Sequence, residues 1–430
     1  MKRILCLIIA ASTLLGITAC SSPEVKETTP AVTDATETIP AVTAPVLDYT
    51  VANPTPYPDY SVPEDYTTDD LRQIAIRAMR DILTVEWTAA KYYTYKNKYD
   101  WPNKQFQYVT GVTFNGMPYA NAHTGIFQWY KFYDPETGIM NFPGTGQQWG
   151  ESLGTVCADA VLWGWSTVCN SYDSITYTYH MTPGNNFVSP GTYTLPDDIT
   201  SFRAQTTDMI CQFNGLQAMA SAYAQLLPAD ALTSTSDGHA IMAIREPEVV
   251  YLEDGSIDVD NSYIIYQDQS GGTSKHFNEV EEDGVIHYYV GHTEAKLSFA
   301  NAFNRGFIPI TTKEFLGLKP YTKAQASYSG ATNSLKDLFS ASITTNYPLC
   351  SAELLAEDAQ GQRTRIAIEL YTKQDGGNRT GEEGYTYYFN DLLVTDPQTA
   401  LDKLPETVKV ILLAQVSTGD EFEIATFTVE

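Results

Sequence analysis

A helix that opens on a cysteine constrains this chain more than any other feature. In the stretch Gly154-Thr155-Val156-Cys157-Ala158-Asp159-Ala160-Val161-Leu162-Trp163-Gly164-Trp165, and on to Val168, the residues Cys157, Ala160, Val161, Gly164 and Val168 recur at helical spacing. They form one apolar face. Thr155 reads as the N-cap, which puts Cys157 in the first turn. There the unpaired N–H groups and the positive end of the helix dipole favour thiolate over thiol. The same pattern suits a small buried core residue, since free cysteine is among the most buried residue types. On this stretch alone core packing is the simpler reading, and the rest of the chain has to shift it.

The compartment follows from the N-terminus. Met1-Lys2-Arg3 and the apolar run from Ile4 to Ile17 make an export leader over residues 1–19. Its end, Ile17-Thr18-Ala19-Cys20, resembles a bacterial lipobox, which implies lipid on Cys20 and an anchor in the membrane. No other apolar run in the sequence is long enough to span a bilayer. Residues 20–58, rich in Thr, Pro, Ala and Glu, read as a flexible tether. Loss of Lys2 and Arg3 with the leader takes the 26 basic residues to 24, against 52 acidic ones. A balance this negative excludes nucleic acid as partner. Of the six cysteines, Cys157, Cys169, Cys211 and Cys350 remain after Cys6 and Cys20 are assigned. Their spacing matches no zinc site, so no metal or cofactor is expected, and a Cys169–Cys211 bridge stays open.

Taken in order, Thr67-Thr68-Asp69-Asp70 starts a helix with Leu71, Ile74, Ala75, Ala78, Met79 and Ile82 on one face, expected to continue to about Tyr99. Residues 106–150 carry many turn formers and read as loops and short strands whose aromatics, Tyr119, Phe127, Trp129 and Trp149, can line a groove. Another helix is expected over 205–227, with Met209, Ile210, Phe213, Leu216, Met219, Ala220 and Tyr223 on its apolar side. From about 335 onward, β-branched runs at 340–347, 363–371, 384–389, 407–416 and 421–429 point to a β-sandwich. The fold class is therefore α+β: a mixed domain over 59–328, then a sandwich-like domain over 329–430.

Two further residues bear on Cys157. Gly238-His239 opens the run Ala240-Ile241-Met242-Ala243-Ile244, apolar on both faces as in a buried strand. A histidine there is either a satisfied core residue or a base aimed at a neighbouring helix end. Residues 247–255 and 262–268 read as strands, and the second places Asp268 beside His239 if the two strands pair. Asp268 is then either a solvated strand end or the group that orients the imidazole.

The ordered set of Cys157 at a helix start, Leu227-Pro228-Ala229-Asp230 leading to Gly238-His239, and Asp268 ending a later strand resembles the NlpC-type and CHAP-type cysteine hydrolases of bacterial cell walls, members of the papain-like class. The resemblance covers about residues 105–270. It implies a helix carrying the cysteine packed on an antiparallel sheet, with Cys157 as nucleophile, His239 as base and Asp268 as orienter. Tyr119, in Gly116-Met117-Pro118-Tyr119, resembles the glycine-x-proline-tyrosine upstream of the cysteine in NlpC-type enzymes, and with Trp149 it is the expected substrate contact. Val156-Cys157-Ala158 replaces the family's Asp-Cys-Ser, and Ala229 stands where its turn has glycine. The implied protein is a monomeric, lipid-anchored hydrolase at the cell surface, cutting amide bonds in peptidoglycan or another surface peptide. Two other readings come from the same residues. Gly150-Glu151-Ser152-Leu153-Gly154 fits the G-x-S-x-G elbow of a serine esterase, but no hydrophobic strand precedes it. A non-catalytic wall-binding protein on the same fold would use the many Tyr and Trp rings to stack on sugars.

Overall fold

The computed structural model describes residues 57–96, 105–120, 123–142, 153–170, 178, 181–184, 187–196, 206–270, 278–371, 378–379, 384–389, 397–404 and 406–428. These belong to one compact unit, Tyr49–Glu430. The expectations for the leader, the tether up to residue 56, Cys20, Trp149 and Ser152 lie outside the described residues.

Helix α1 (Thr68–Thr84) starts in a capping box between Thr67 and Asp70 and buries Leu71, Ile74, Ala75, Ala78, Met79 and Ile82. It ends at Val85 and does not run on toward Tyr99. Strands β1 (Glu86–Ala89), β2 (Tyr93–Lys96), β3 (Gln105–Tyr108) and β4 (Thr113–Asn115) follow. The aromatic and β-branched residues here fit a pleated, half-buried surface better than a helix, and cross-strand pairing decides it. Helix α2 (Ile126–Tyr130), β5 (Tyr133–Asp134) and β6 (Ile139–Met140) come next. Phe127 and Trp129 are fully buried and so line no groove.

Helix α3 (Cys157–Ser166) is buried on every side, so its sequence is that of a central helix and its apolar face is not bounded by a polar one. Gly164 lets it approach α1: a Cβ there would sit 2.6 Å from the Ala75 carbonyl oxygen. The helix expected over 205–227 is two, α4 (Thr206–Asn214) and α5 (Leu216–Tyr223), because Gly215 between them adopts φ +80°. Met209 and Phe213 are consequently exposed.

Strands β7 (Ala231–Ser234), β8 (His239–Ala243), β9 (Tyr263–Gln269), β10 (Asn278–Glu282), β11 (Val285–Tyr289) and β12 (Gly291–Ser298), then α6 (Phe299–Asn304) and β13 (Ile308–Ile310), complete the first half. The strand expected at 247–255 is reduced to isolated bridges, Glu248 to Tyr263 and Tyr251 to Ile257. One sheet runs β10-β11-β4-β1-β6-β5 and a second runs β12-β9-β8-β7-β13. The second is antiparallel throughout and covered on both faces. Ala240 and Met242 join the core shared with α1 and α3, whereas Ile241 joins the core with α4, α5 and α6. That alternation is the pleat of β8.

The C-terminal portion comprises β14 (Ala326–Ser329), β15 (Ser342–Thr345), β16 (Leu349–Asp358), β17 (Arg363–Leu370), β18 (Asn378–Arg379), β19 (Tyr385–Tyr388), α7 (Pro397–Leu401), β20 (Thr407–Val416) and β21 (Glu421–Thr428). Two four-stranded antiparallel sheets, β14-β15-β19-β18 and β17-β16-β20-β21, share one core. The long buried strand β16, absent from the sequence reading, is the centre of this portion. The two portions are joined through buried polar contacts. Glu353 on β16 ion-pairs Lys131 at 2.6 Å and Arg365 at 2.5 Å. Ser417 donates to the Ser166 carbonyl at 2.6 Å, satisfying an acceptor that the end of α3 leaves open. The protein is thus a mixed α+β structure in which C-terminal residues help to seat the central helix.

Candidate active site

The turn into α3 is built by close backbone contact. Gly154 lies against Pro118, Ala120 and Thr124, and a Cβ there would come within 2.2 Å of the Pro118 carbonyl oxygen. The Thr155 N–H donates to Pro118 at 3.2 Å, and Ala120 N–H donates back to Thr155 at 3.0 Å. This short bridge sets Tyr119 beside the helix start, its hydroxyl 3.8 Å from the Cys157 sulfur. Thr155 is not the N-cap. That position falls to Val156, which offers no side-chain acceptor, because the Thr155 hydroxyl donates to the Gln269 amide oxygen instead. Cys157 is therefore the first helical residue, where backbone N–H groups lack intrahelical partners.

His239 arrives from the sheet. Strand β8 begins immediately after the tight turn at Gly238 (φ +64°), so its first side chain stands at the edge of the strand nearest the start of α3. The Cys157 thiol lies 3.6 Å from the Gly238 carbonyl oxygen and meets the His239 ring and the Ala240 N–H. Met242 pairs with Gln267, which places Asp268 on the face that His239 shares. There His239 Nε2 is 2.8 Å from Asp268 Oδ2. With Nε2 taken, Nδ1 is the nitrogen left for the sulfur.

The electrostatics follow from these contacts. Burial works to raise the Cys157 thiol, but the His239 charge and hydrogen bond, the Ala240 N–H and the Tyr119 hydroxyl outweigh it and hold the thiol below its ordinary value. For His239 burial opposes the charged ring, and the Cys157 thiolate and the Asp268 carboxylate overcome it, pushing the imidazole up to about 10. Burial likewise disfavours the Asp268 anion, yet hydrogen bonds from His239 and His292 keep the carboxyl well below the usual range. Tyr119 is raised far above its ordinary value by burial and by the neighbouring Cys157 charge, so its hydroxyl keeps its proton and donates. Cys157 is only 3% exposed whereas the His239 side chain is 17% exposed, so the open side of the site lies at the imidazole.

Three of the residues singled out from sequence, Cys157, His239 and Asp268, are thus in one row, with Tyr119 against the sulfur. The sequence reading missed His292, whose Nδ1 lies 2.8 Å from Asp268 Oδ1. It stands opposite Asp268 in the β9–β12 ladder, a pairing that no local pattern announces. It also missed the buried pair of His123 and Asp159, the latter in the first turn of α3. Cys169, Cys211 and Cys350 are free thiols, so the bridge left open between Cys169 and Cys211 is not made. Each of the three is raised, first by burial. Among the described residues no group of three or more His, Cys, Asp or Glu is disposed to hold a metal ion. What the row can do is deliver a thiolate beside an imidazolium, next to helix N–H groups that can bind a developing oxyanion. No family model, no curated protein and no solved structure matches this chain.

Proposed function

We propose that the protein is a papain-like cysteine hydrolase that cleaves amide bonds, with peptidoglycan peptides at the cell surface as substrate and the lipid on Cys20 as its anchor. One observation carries this reading. Among four buried free cysteines, Cys157 alone has its thiol lowered, and it alone faces a histidine backed by a carboxylate. The Cys157 thiolate attacks the amide carbonyl, and first-turn N–H groups of α3 bind the oxyanion. The His239 imidazolium passes its proton to the leaving amine, giving a thioester. His239 then takes a proton from water as it adds to the thioester, and collapse returns the thiolate. Asp268 keeps the ring in the tautomer that faces sulfur.

The test is amide release from purified peptidoglycan by the exported form. Cys157→Ser and His239→Ala each lower the rate by about 10³-fold or more. Release that is unchanged in both variants overturns the proposal, and loss in Ser152→Ala but not in Cys157→Ala transfers it to a serine esterase.

A further inference from the structure

Resting on the cysteine-hydrolase reading, we propose that His292 is a positioning residue of this site, one that locks Asp268 and whose charge tunes how strongly Asp268 holds His239. Asp268 bridges two histidines, with His239 on Oδ2 and His292 on Oδ1. His292 grips that second oxygen twice, through Nδ1 at 2.8 Å and through its own backbone N–H at 3.2 Å. The strand is shaped to allow this. Gly291 takes φ +148°, and a Cβ there would fall 2.2 Å from the Asp268 carbonyl oxygen, so only glycine lets β12 draw this close. Just beyond His292 the ladder slips in a bulge before Ala295, which ends regular pairing around the residue.

Burial separates the two imidazoles. The His239 side chain is 17% exposed and sits at the sulfur, while His292 is 52% exposed and can exchange protons with solvent. The groups that act on His292 are Asp268 from β9, which raises its pKa, and His239 from β8, which lowers it. Helices α1 and α6 also pack on β12 and add no charge to that set among the described residues. As the neutral Nδ1–H tautomer, His292 donates to Asp268 and leaves the carboxylate charge to His239. Once protonated it is a like charge on the same carboxylate, which weakens the His239 imidazolium and with it the Cys157 thiolate. The shared carboxylate thus makes the nucleophile sensitive to the protonation of an exposed ring.

The experiment is the pH–rate profile of Cys157 alkylation by iodoacetamide in the full chain, which needs no substrate. In the parent the rate climbs as His292 loses its proton, which Asp268 shifts above the ordinary histidine range. His292→Asn keeps a donor near the Nδ1 position but cannot titrate. It is expected to alkylate about three- to tenfold faster than the parent at pH 6 and to converge with it at alkaline pH, once His292 is neutral. His292→Ala, which removes the lock, is expected to fall below His292→Asn at every pH. A His292→Asn profile that superimposes on the parent overturns the proposal, as does equal behaviour of the Asn and Ala variants. A parent Cys157 no faster than a free thiol instead overturns the hydrolase reading, so the two failures are distinct.

Discussion

The two ends of α3 carry a cysteine each, both buried, and the helix treats them in opposite ways. Cys157 opens the helix and its thiol is lowered, whereas Cys169, three residues past the other end, is raised well above its ordinary value. Burial pushes both upward. At Cys169 the nearby Glu314 adds to that push, and its hydrogen-bond partner, Thr312 at 3.3 Å, is neutral. At Cys157 the partner is a histidine held charged by Asp268, and the helix end is the positive one. Burial therefore does not make a cysteine inert or reactive; the sign of the charge beside it does.

The largest effect that can break this contrast is selective labelling. With limiting iodoacetamide at pH 7, Cys157 is expected to be modified at least ~100-fold faster than Cys169, Cys211 or Cys350, read by peptide mass mapping. Comparable rates at Cys157 and Cys169 would remove the distinction altogether. For the proposed hydrolase, the same assignment predicts the pH range of amide release. The lowered thiol supplies thiolate below pH 9, while His239, raised to about 10, stays protonated up to that point and loses its acid role above it. Activity should thus decline as pH rises through about 10, and a decline centred near the ordinary histidine value would count against the pair.

Next in size is the conversion of one end into the other. His239→Ala removes the cation and the hydrogen bond, leaving Cys157 with burial, the Ala240 N–H and the Tyr119 hydroxyl. Its alkylation at pH 7 should fall by roughly tenfold or more, because each unit of pKa is a tenfold change in thiolate at that pH. If the rate holds in a folded His239→Ala protein, the helix end alone activates the sulfur and His239 is dispensable to it.

Much of this contrast is legible in sequence, for a physical reason. A cysteine ahead of an apolar run and a Gly-His pair ahead of a buried strand are local signals, and they place Cys157 and His239 on the elements where they are found. Asp268 needed one further condition, that β8 and β9 pair. His292 needed the register of β9 against β12, which depends on chain 24 residues away and leaves no trace in periodicity. The same non-locality explains the misreadings. Residues 86–89 and 93–96 are strands because β4, β6 and β3 are there to pair with them, and Thr155 loses its cap role because Gln269 competes for its hydroxyl.

A smaller test asks whether the two ends are independent. They are about 18 Å apart along the helix axis, at 1.5 Å per residue. Cys169→Ala should cost about 1–2 kcal/mol of stability by leaving a small cavity, measured by denaturant unfolding. It should leave Cys157 alkylation within twofold of the parent, since sites this far apart add independently. A Cys169→Ala protein that is stable yet slow at Cys157 would show that the far end of α3 governs the near one.

The smallest effect concerns the turn that anchors the later half of α3. Trp165 donates its indole N–H to the Ala229 carbonyl at 2.8 Å, and Asp230 closes the turn with its N–H on Leu227 at 3.0 Å and its carboxylate on Arg72 at 2.8 Å. With Pro228 second and Ala229 third, at φ +67°, this is the kind of β-turn whose third position suits glycine. Ala229 is thus strained at a position that favours glycine. Replacing it should relieve about 1 kcal/mol of backbone strain, offset in part by the greater freedom glycine gives the unfolded chain. Ala229→Gly is expected to stabilise the protein by a net ~0.5 kcal/mol with Cys157 alkylation unchanged. Destabilisation instead would mean that the buried Ala229 methyl contributes more through packing than its φ costs, and the missing glycine would then be a compensated feature of this turn.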